Sequence, residues 1–324
     1  MTLPQYTVPA VAEYLTGAVD AAGMRGCLCF GHSAGGAFAI IASSRSPGLF
    51  SAIVSFEAVA ASPASHAFMR EARDSGAIAT AGPSLAAMAL RRRALFASSA
   101  DALARLSQKP PLAGMHPEAA RLFVQHGTRP VRRQQQQQPE TFIPSEQSHW
   151  HEQQQQVELQ VQQQQQQQVE QQVELVCAPS VEAAYYRALD PPPAVPLAGS
   201  SCPLLMLVAG SPGSSAASFK THAAVRQWLL THTARRGQHA VAGASSATPS
   251  SSSSNTSSSG SSTDAGSSLH AVLAVLNAEL AASLPSARLV EVPGVSHFGP
   301  LEQPRLIADI AAAFFRQQQQ RPRL

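Results

Sequence analysis

The chain has 324 residues, a formal net charge of +3 and 44% hydrophobic residues. So small a charge, spread over scattered arginines, argues against a nucleic-acid surface, and no apolar run is long enough to span a bilayer. Its four cysteines form no C-x-x-C pair and imply no disulfide framework.

Residues 9–22 carry Val11, Tyr14, Leu15, Ala18 and Val19 at helical spacing, closed by Gly23, and predict a helix. Residues 27–30 form a short apolar strand. Gly31-His32-Ser33-Ala34-Gly35 follows it and opens a small-residue helix over 34–43. After the break Pro47-Gly48, residues 52–56 make a second strand, apolar but for Ser55, as suits a parallel sheet covered on both faces. Residues 62–127 are rich in alanine, leucine and arginine, with helical patterns over 65–74, 84–106 and 117–126, and predict a helical excursion rather than sheet. Arg91-Arg92-Arg93 reads there as a solvated helix face.

Residues 133–176 are glutamine-rich. Val157, Val161, Val169, Val173 and Val176 fit one helix stripe suited to self-association, whereas the tract's composition suits a largely disordered insertion. His149, His151 and Glu152 beside it lack the supporting shell of a metal site, and none is assigned. Helices are predicted over 181–189, 219–231, 269–284 and 304–315, and strands over 203–209 and 288–292. Residues 243–268 are a serine-rich insert and 317–324 a polar tail; roughly 250 residues outside these tracts suffice for one buried core. The alternation of strands and helices predicts an α/β fold, a parallel sheet flanked by helices.

Strand, G-x-S-x-G and helix in that order describe a nucleophile elbow, a turn so tight that small residues must flank the serine. Ser33 is then the nucleophile, and it needs a base because a hydroxyl attacks poorly at neutral pH. His297 follows the last predicted strand and the turn Pro293-Gly294-Val295-Ser296. In a parallel sheet the loops leaving the carboxyl ends of the strands open on one edge, so this loop can meet the elbow.

Gly31-His32-Ser33-Ala34-Gly35-Gly36, together with the segment from Gly294 to Pro304, resembles the elbow and terminal histidine segment of the α/β-hydrolase family. The resemblance covers about residues 7–59 and 202–315. It implies a partial α/β-hydrolase fold with residues 1–61 as the first part of the core and 62–198 as a lid excursion. Residues 199–316 would be the second part of the core. It also implies a serine hydrolase acting on a small ester or related acyl compound, with no cofactor and no metal. Family members most often place an aspartate after the strand that here is 203–209, but this chain reads Gly210-Ser211-Pro212-Gly213-Ser214-Ser215. Asp264 comes next, inside the serine tract. Glu57, at the end of the strand 52–56, resembles the acid of the haloalkane dehalogenase branch in Phe56-Glu57-Ala58-Val59, and its role is set against that of a strand-end glutamate bonding local backbone.

The backbone N–H of Ala34 is the expected oxyanion donor, and the resemblance implies a second donor from a loop after an earlier strand. Residues 1–26 contain no such strand, and the elbow strand without an upstream neighbour would present an unpaired edge. Three expectations follow: a fragment of a longer hydrolase, self-association through that edge or the glutamine-rich segment, or a non-catalytic binding or interaction protein. The first residues lack the basic start and apolar core of a signal peptide, which makes a cytoplasmic location the default; a longer N-terminus would leave room for an organellar address.

Overall fold

The structure is a computed structural model that describes residues 7–77, 82–108, 112–131, 172–210, 227 and 263–320. In chain order the helices are α1 (Val8–Ala21), α2 (Ala34–Arg45), α3 (Pro63–Asp74), α4 (Gly82–Leu90), α5 (Ser99–Leu106), α6 (Pro117–Gly127), α7 (Pro179–Ala188), α8 (Thr263–Ser283), α9 (Gly299–Glu302) and α10 (Pro304–Gln319). The strands are β1 (Cys27–His32), β2 (Phe50–Phe56), β3 (Leu95–Phe96), β4 (Thr128–Pro130), β5 (Val173–Leu175), β6 (Leu204–Gly210) and β7 (Ala287–Pro293). The helix expected over 219–231 lies outside the described residues apart from Gln227, as do Asp264's side chain and the group His149, His151 and Glu152.

The chain divides into two compact units, residues 1–90 with 182–324 and residues 91–181. In the first, four parallel strands run in the order β1-β2-β6-β7. The expected α/β architecture, a parallel sheet flanked by helices, is present. Alternation along the strands supplies both faces, because successive side chains of a strand point to opposite sides. Ile53, Leu204 and Met206 pack with Ala37, Ile40 and Ile41 of α2 and with Leu280 of α8. Ala52, Val54, Phe56, Leu205 and Leu207 pack with Ile307, Ala311 and Phe314 of α10. β2 from Ala52 onward and β6 are covered on both faces, which explains their apolar runs, interrupted in β2 by the buried Ser55. β1 lies at the edge among the described residues, and Leu28 and Phe30 on it are exposed.

Helix ends follow local chemistry. Thr7 caps α1, its Oγ1 accepting from the Ala10 amide at 3.4 Å, with Pro9 in the first turn. Ser62 caps α3 in the same way, accepting from Ser65 N at 3.1 Å.

The second unit corrects the purely helical expectation for residues 62–127. β3, β5 and β4 form a three-stranded antiparallel sheet, so the helical run expected over 84–106 is interrupted by Leu95–Phe96. Val173 belongs to β5 rather than to a helix stripe, and Val157, Val161 and Val169 lie outside the described residues. Phe96, Ala102, Val124, Val173 and Leu175 form this unit's core. Arg91, Arg92 and Arg93 lie in an exposed turn instead of on a helix, and the Arg93 guanidinium sits 5.6 Å from the centre of the Phe96 ring. Residues 62–90 and 182–198, which the sequence groups with the excursion, fall in the first unit.

Candidate active site

The elbow is built by close backbone approach. A Cβ on Gly31 would stand 2.7 Å from both Cα and N of Gly36, which no side chain tolerates. Gly36 in turn leaves 3.2 Å to the Cβ atoms of Ser55 and Ala58, so α2 leaves β1 pressed against the end of β2. Gly35, the second glycine of the pentapeptide, has open space around its Cβ position. The tight pair in this chain is therefore Gly31 and Gly36.

Ser33 sits at the turn with φ 56° and ψ −121°, outside the regions that residues with a side chain favour. Its N–H donates to the Phe56 carbonyl at 2.9 Å and its carbonyl accepts from Val59 N at 3.2 Å, which fastens the turn to the end of β2. Glu57 follows that strand with φ 44°. Ser33 and Glu57 are the two described residues other than glycine with positive φ. Strain of this kind costs about 1–3 kcal/mol per residue and persists where the surroundings over-determine it.

Those surroundings are specific. Glu57 N donates to Leu207 O at 2.8 Å, and the Ala209 amide of β6 donates to Glu57 Oε1 at 3.0 Å. Asn277 of α8, fully buried, brackets the next residue: its Oδ1 accepts from Ala58 N at 3.1 Å, and its Nδ2 donates to Ala58 O and Leu273 O, each at 2.8 Å. A carboxamide so satisfied orders the backbone around Glu57, its hydrogen bonds offsetting the cost of burying it.

His297 arrives on the loop after β7, which turns at Gly294 with φ 73°. Glu302 braces this loop, its Oε2 accepting from Ser296 N at 2.8 Å and its Oε1 from Ser296 Oγ at 2.5 Å. Gln303 Nε2 donates to Gly294 O at 3.0 Å. α9 begins at Gly299 against the Phe56 ring, 2.6 Å from where a Cβ would stand.

Three residues from three strand ends meet here. His297 Nδ1–H donates to Glu57 Oε2 at 2.8 Å, and Ser33 Oγ–H donates to His297 Nε2 at 3.1 Å. The Glu57 side chain is 0% exposed and that of His297 14%, so their hydrogen bond is shielded from solvent. Ala34, the first residue of α2, carries an amide that its position leaves without an intrahelical acceptor. Chemically the arrangement couples a hydroxyl to an imidazole whose tautomer is fixed by a buried carboxylate. No group of three or more His, Cys, Asp or Glu side chains placed to hold a metal occurs among the described residues, and no described helix is long and apolar enough to cross a membrane.

Sequence reasoning passed over the Ala209 amide, Asn277 and His32. The His32 imidazole lies 4.9 Å from that of His297, centre to centre, and its Nε2 donates to the His297 carbonyl at 2.7 Å. Burial, and after it the nearby His297, lowers the His32 pKa to about 4 from 6.5. Burial likewise pushes the Cys29 thiol up to about 12, which leaves it an unreactive strand residue.

No family model matches the sequence, and no curated protein matches it either. The folds it is similar to include E-2-(acetamidomethylene)succinate hydrolase, at 14% identity over 97% of this chain and 75% of that one, with a TM-score of 0.47. A peroxisomal alpha-beta-hydrolase from Saccharomyces cerevisiae aligns at 11% identity over 98% and 62%, with a TM-score of 0.44. A thermophilic esterase from Thermogutta terrifontis aligns at 14% identity over 97% and 74%, with a TM-score of 0.41. At TM-scores this low the likeness bears no weight, and the reading of the site rests on its own side chains.

Proposed function

We propose that this chain is a serine hydrolase of the α/β-hydrolase type that cleaves a small ester or related acyl compound. The observation that carries the reading is the continuous hydrogen-bonded line from Ser33 Oγ through both nitrogens of His297 to the buried Glu57 carboxylate.

Ser33 Oγ attacks the acyl carbon while its proton passes to His297 Nε2. Glu57 keeps Nε2 free as the acceptor by holding the proton on Nδ1, and it stabilises the imidazolium that forms. The Ala34 amide, at the start of α2, supports the negative charge on the acyl oxygen. Collapse of the tetrahedral adduct breaks the bond to the leaving oxygen, which takes the proton from His297 and leaves an acyl ester on Ser33. Water then repeats the sequence with His297 as base and frees the acid. The positive φ values of Ser33 and Glu57 support the reading, because backbone strain concentrates where geometry serves chemistry.

The test is covalent labelling of the purified chain with a fluorophosphonate, located by mass spectrometry. The expected result is one adduct, on Ser33, absent in Ser33→Ala. A folded wild-type protein that takes up no probe refutes the assignment.

A further inference from the structure

His32 stands directly ahead of the serine, and the proposed chemistry gives it no part in the reaction. As the last residue of β1, paired with Phe56 of β2, it projects its ring among His297, Phe56 and Phe298, with ring centres 4.9, 6.0 and 6.1 Å away. Its Nε2–H reaches the backbone carbonyl of His297 at 2.7 Å. The elbow thus grips His297 at two points: Ser33 meets the ring, and His32 meets the backbone that carries the ring. These bonds do different things. The Ser33 bond must break and re-form as the proton moves, whereas the His32 bond ends on a backbone carbonyl that takes no part in the proton transfer.

We propose that His32 is a positioning residue, whose Nε2–H bond to the His297 carbonyl holds the general base over Ser33 Oγ. The proposal rests on the Ser33, His297 and Glu57 reading. The charge state of His32 suits such a role. The titratable groups facing it are His297 and Glu57, and a ring held neutral donates without placing a second cation beside His297 when that imidazole accepts the serine proton.

Two substitutions separate the bond from the bulk. The amide of His32→Gln places its nitrogen near the position of the imidazole Nε2, and that of His32→Asn places it near Nδ1, short of the carbonyl. Both lose the ring. The readouts on the purified full chain are the rate of fluorophosphonate labelling at Ser33, kcat and KM for p-nitrophenyl acetate, and the proton resonance of the His297 Nδ1–H bonded to Glu57. His32→Asn is expected to lower labelling and kcat by about 10²-fold, the scale of a misplaced catalytic group, with KM little changed and the resonance lost. His32→Gln is expected to restore all three.

Equal losses in the two variants, equal failure to fold, or no loss in either would make His32 a packing residue and overturn the proposal. If the wild-type chain does not label but the resonance survives in His32→Gln and vanishes in His32→Asn, the hydrolase reading falls and the positioning role stands. If the wild type labels and the resonance is indifferent to both substitutions, the positioning role alone falls.

Discussion

Acidification from pH 7 to about 4 should cost the wild-type chain stability at His32 that the His32→Gln variant does not lose. Burial, and then His297, lowers the imidazole from 6.5 to about 4, against the opposing pull of its bond to the His297 carbonyl and of the Glu57 charge. Across that window the unfolded chain binds a proton that the folded chain does not. The contribution is therefore complete above about 6.5 and disappears as the pH falls through about 4. At about 1.4 kcal/mol per pH unit, the full window amounts to about 3 kcal/mol. Carboxylates titrate in both proteins, so the informative quantity is the difference between wild type and variant. Urea unfolding followed by circular dichroism, repeated at half-unit pH steps, measures it. The stability advantage of wild type over His32→Gln should shrink by about 3 kcal/mol between neutral pH and about 4. Parallel stability curves for the two proteins would refute the buried, neutral state of His32.

Glu57→Gln removes the carboxylate that fixes the His297 tautomer and should lower kcat for p-nitrophenyl acetate by about 10⁴, the scale known for the serine protease triad, while Asp264→Asn leaves it unchanged. Gly31→Ala drives a Cβ into the Gly36 backbone and should destabilise by about 3 kcal/mol, whereas Gly35→Ala, at an open position, should be neutral or stabilise by up to about 1 kcal/mol; thermal unfolding distinguishes them. Asn277→Ala strands the Ala58 N–H and carbonyl inside the protein at about 1–3 kcal/mol for each, and should slow fluorophosphonate labelling because the Glu57 backbone loosens.

The first unit's sheet is legible in the sequence because its central strands β2 and β6 are short, largely apolar runs and its breaks are marked by Pro47-Gly48 and Pro293-Gly294. The elbow helix begins where the small residues begin. The second unit's sheet was not legible. β3 has two residues, and it exists because Leu95 and Phe96 pair with Glu174 and Val173, far along the chain. No local pattern encodes such a pairing, and the alanine- and leucine-rich surroundings speak for helix. Ser33, His297 and Glu57 stand out by motif and by position at strand ends. His32 does not, because the pentapeptide treats its place as variable; only the meeting of two loops 265 positions apart gives it a partner. Asn277 was hidden for the same reason, since a polar residue within an apolar helix pattern reads as a surface position until its neighbour in space is known.

The hydrogen bond from the Ala209 amide to Glu57 has a bearing on how position 209 can vary. β6 ends beside Glu57 and lends it a main-chain donor, the Ala209 amide. What sets that amide on Glu57 is the register of β6 with β2 on one side and β7 on the other. The last residues of the serine-rich run 243–268 open α8, which begins at Thr263. Because the Ala209 donor is main-chain, it survives a change of side chain that this buried position admits, whereas proline at 209, which has no N–H, removes it.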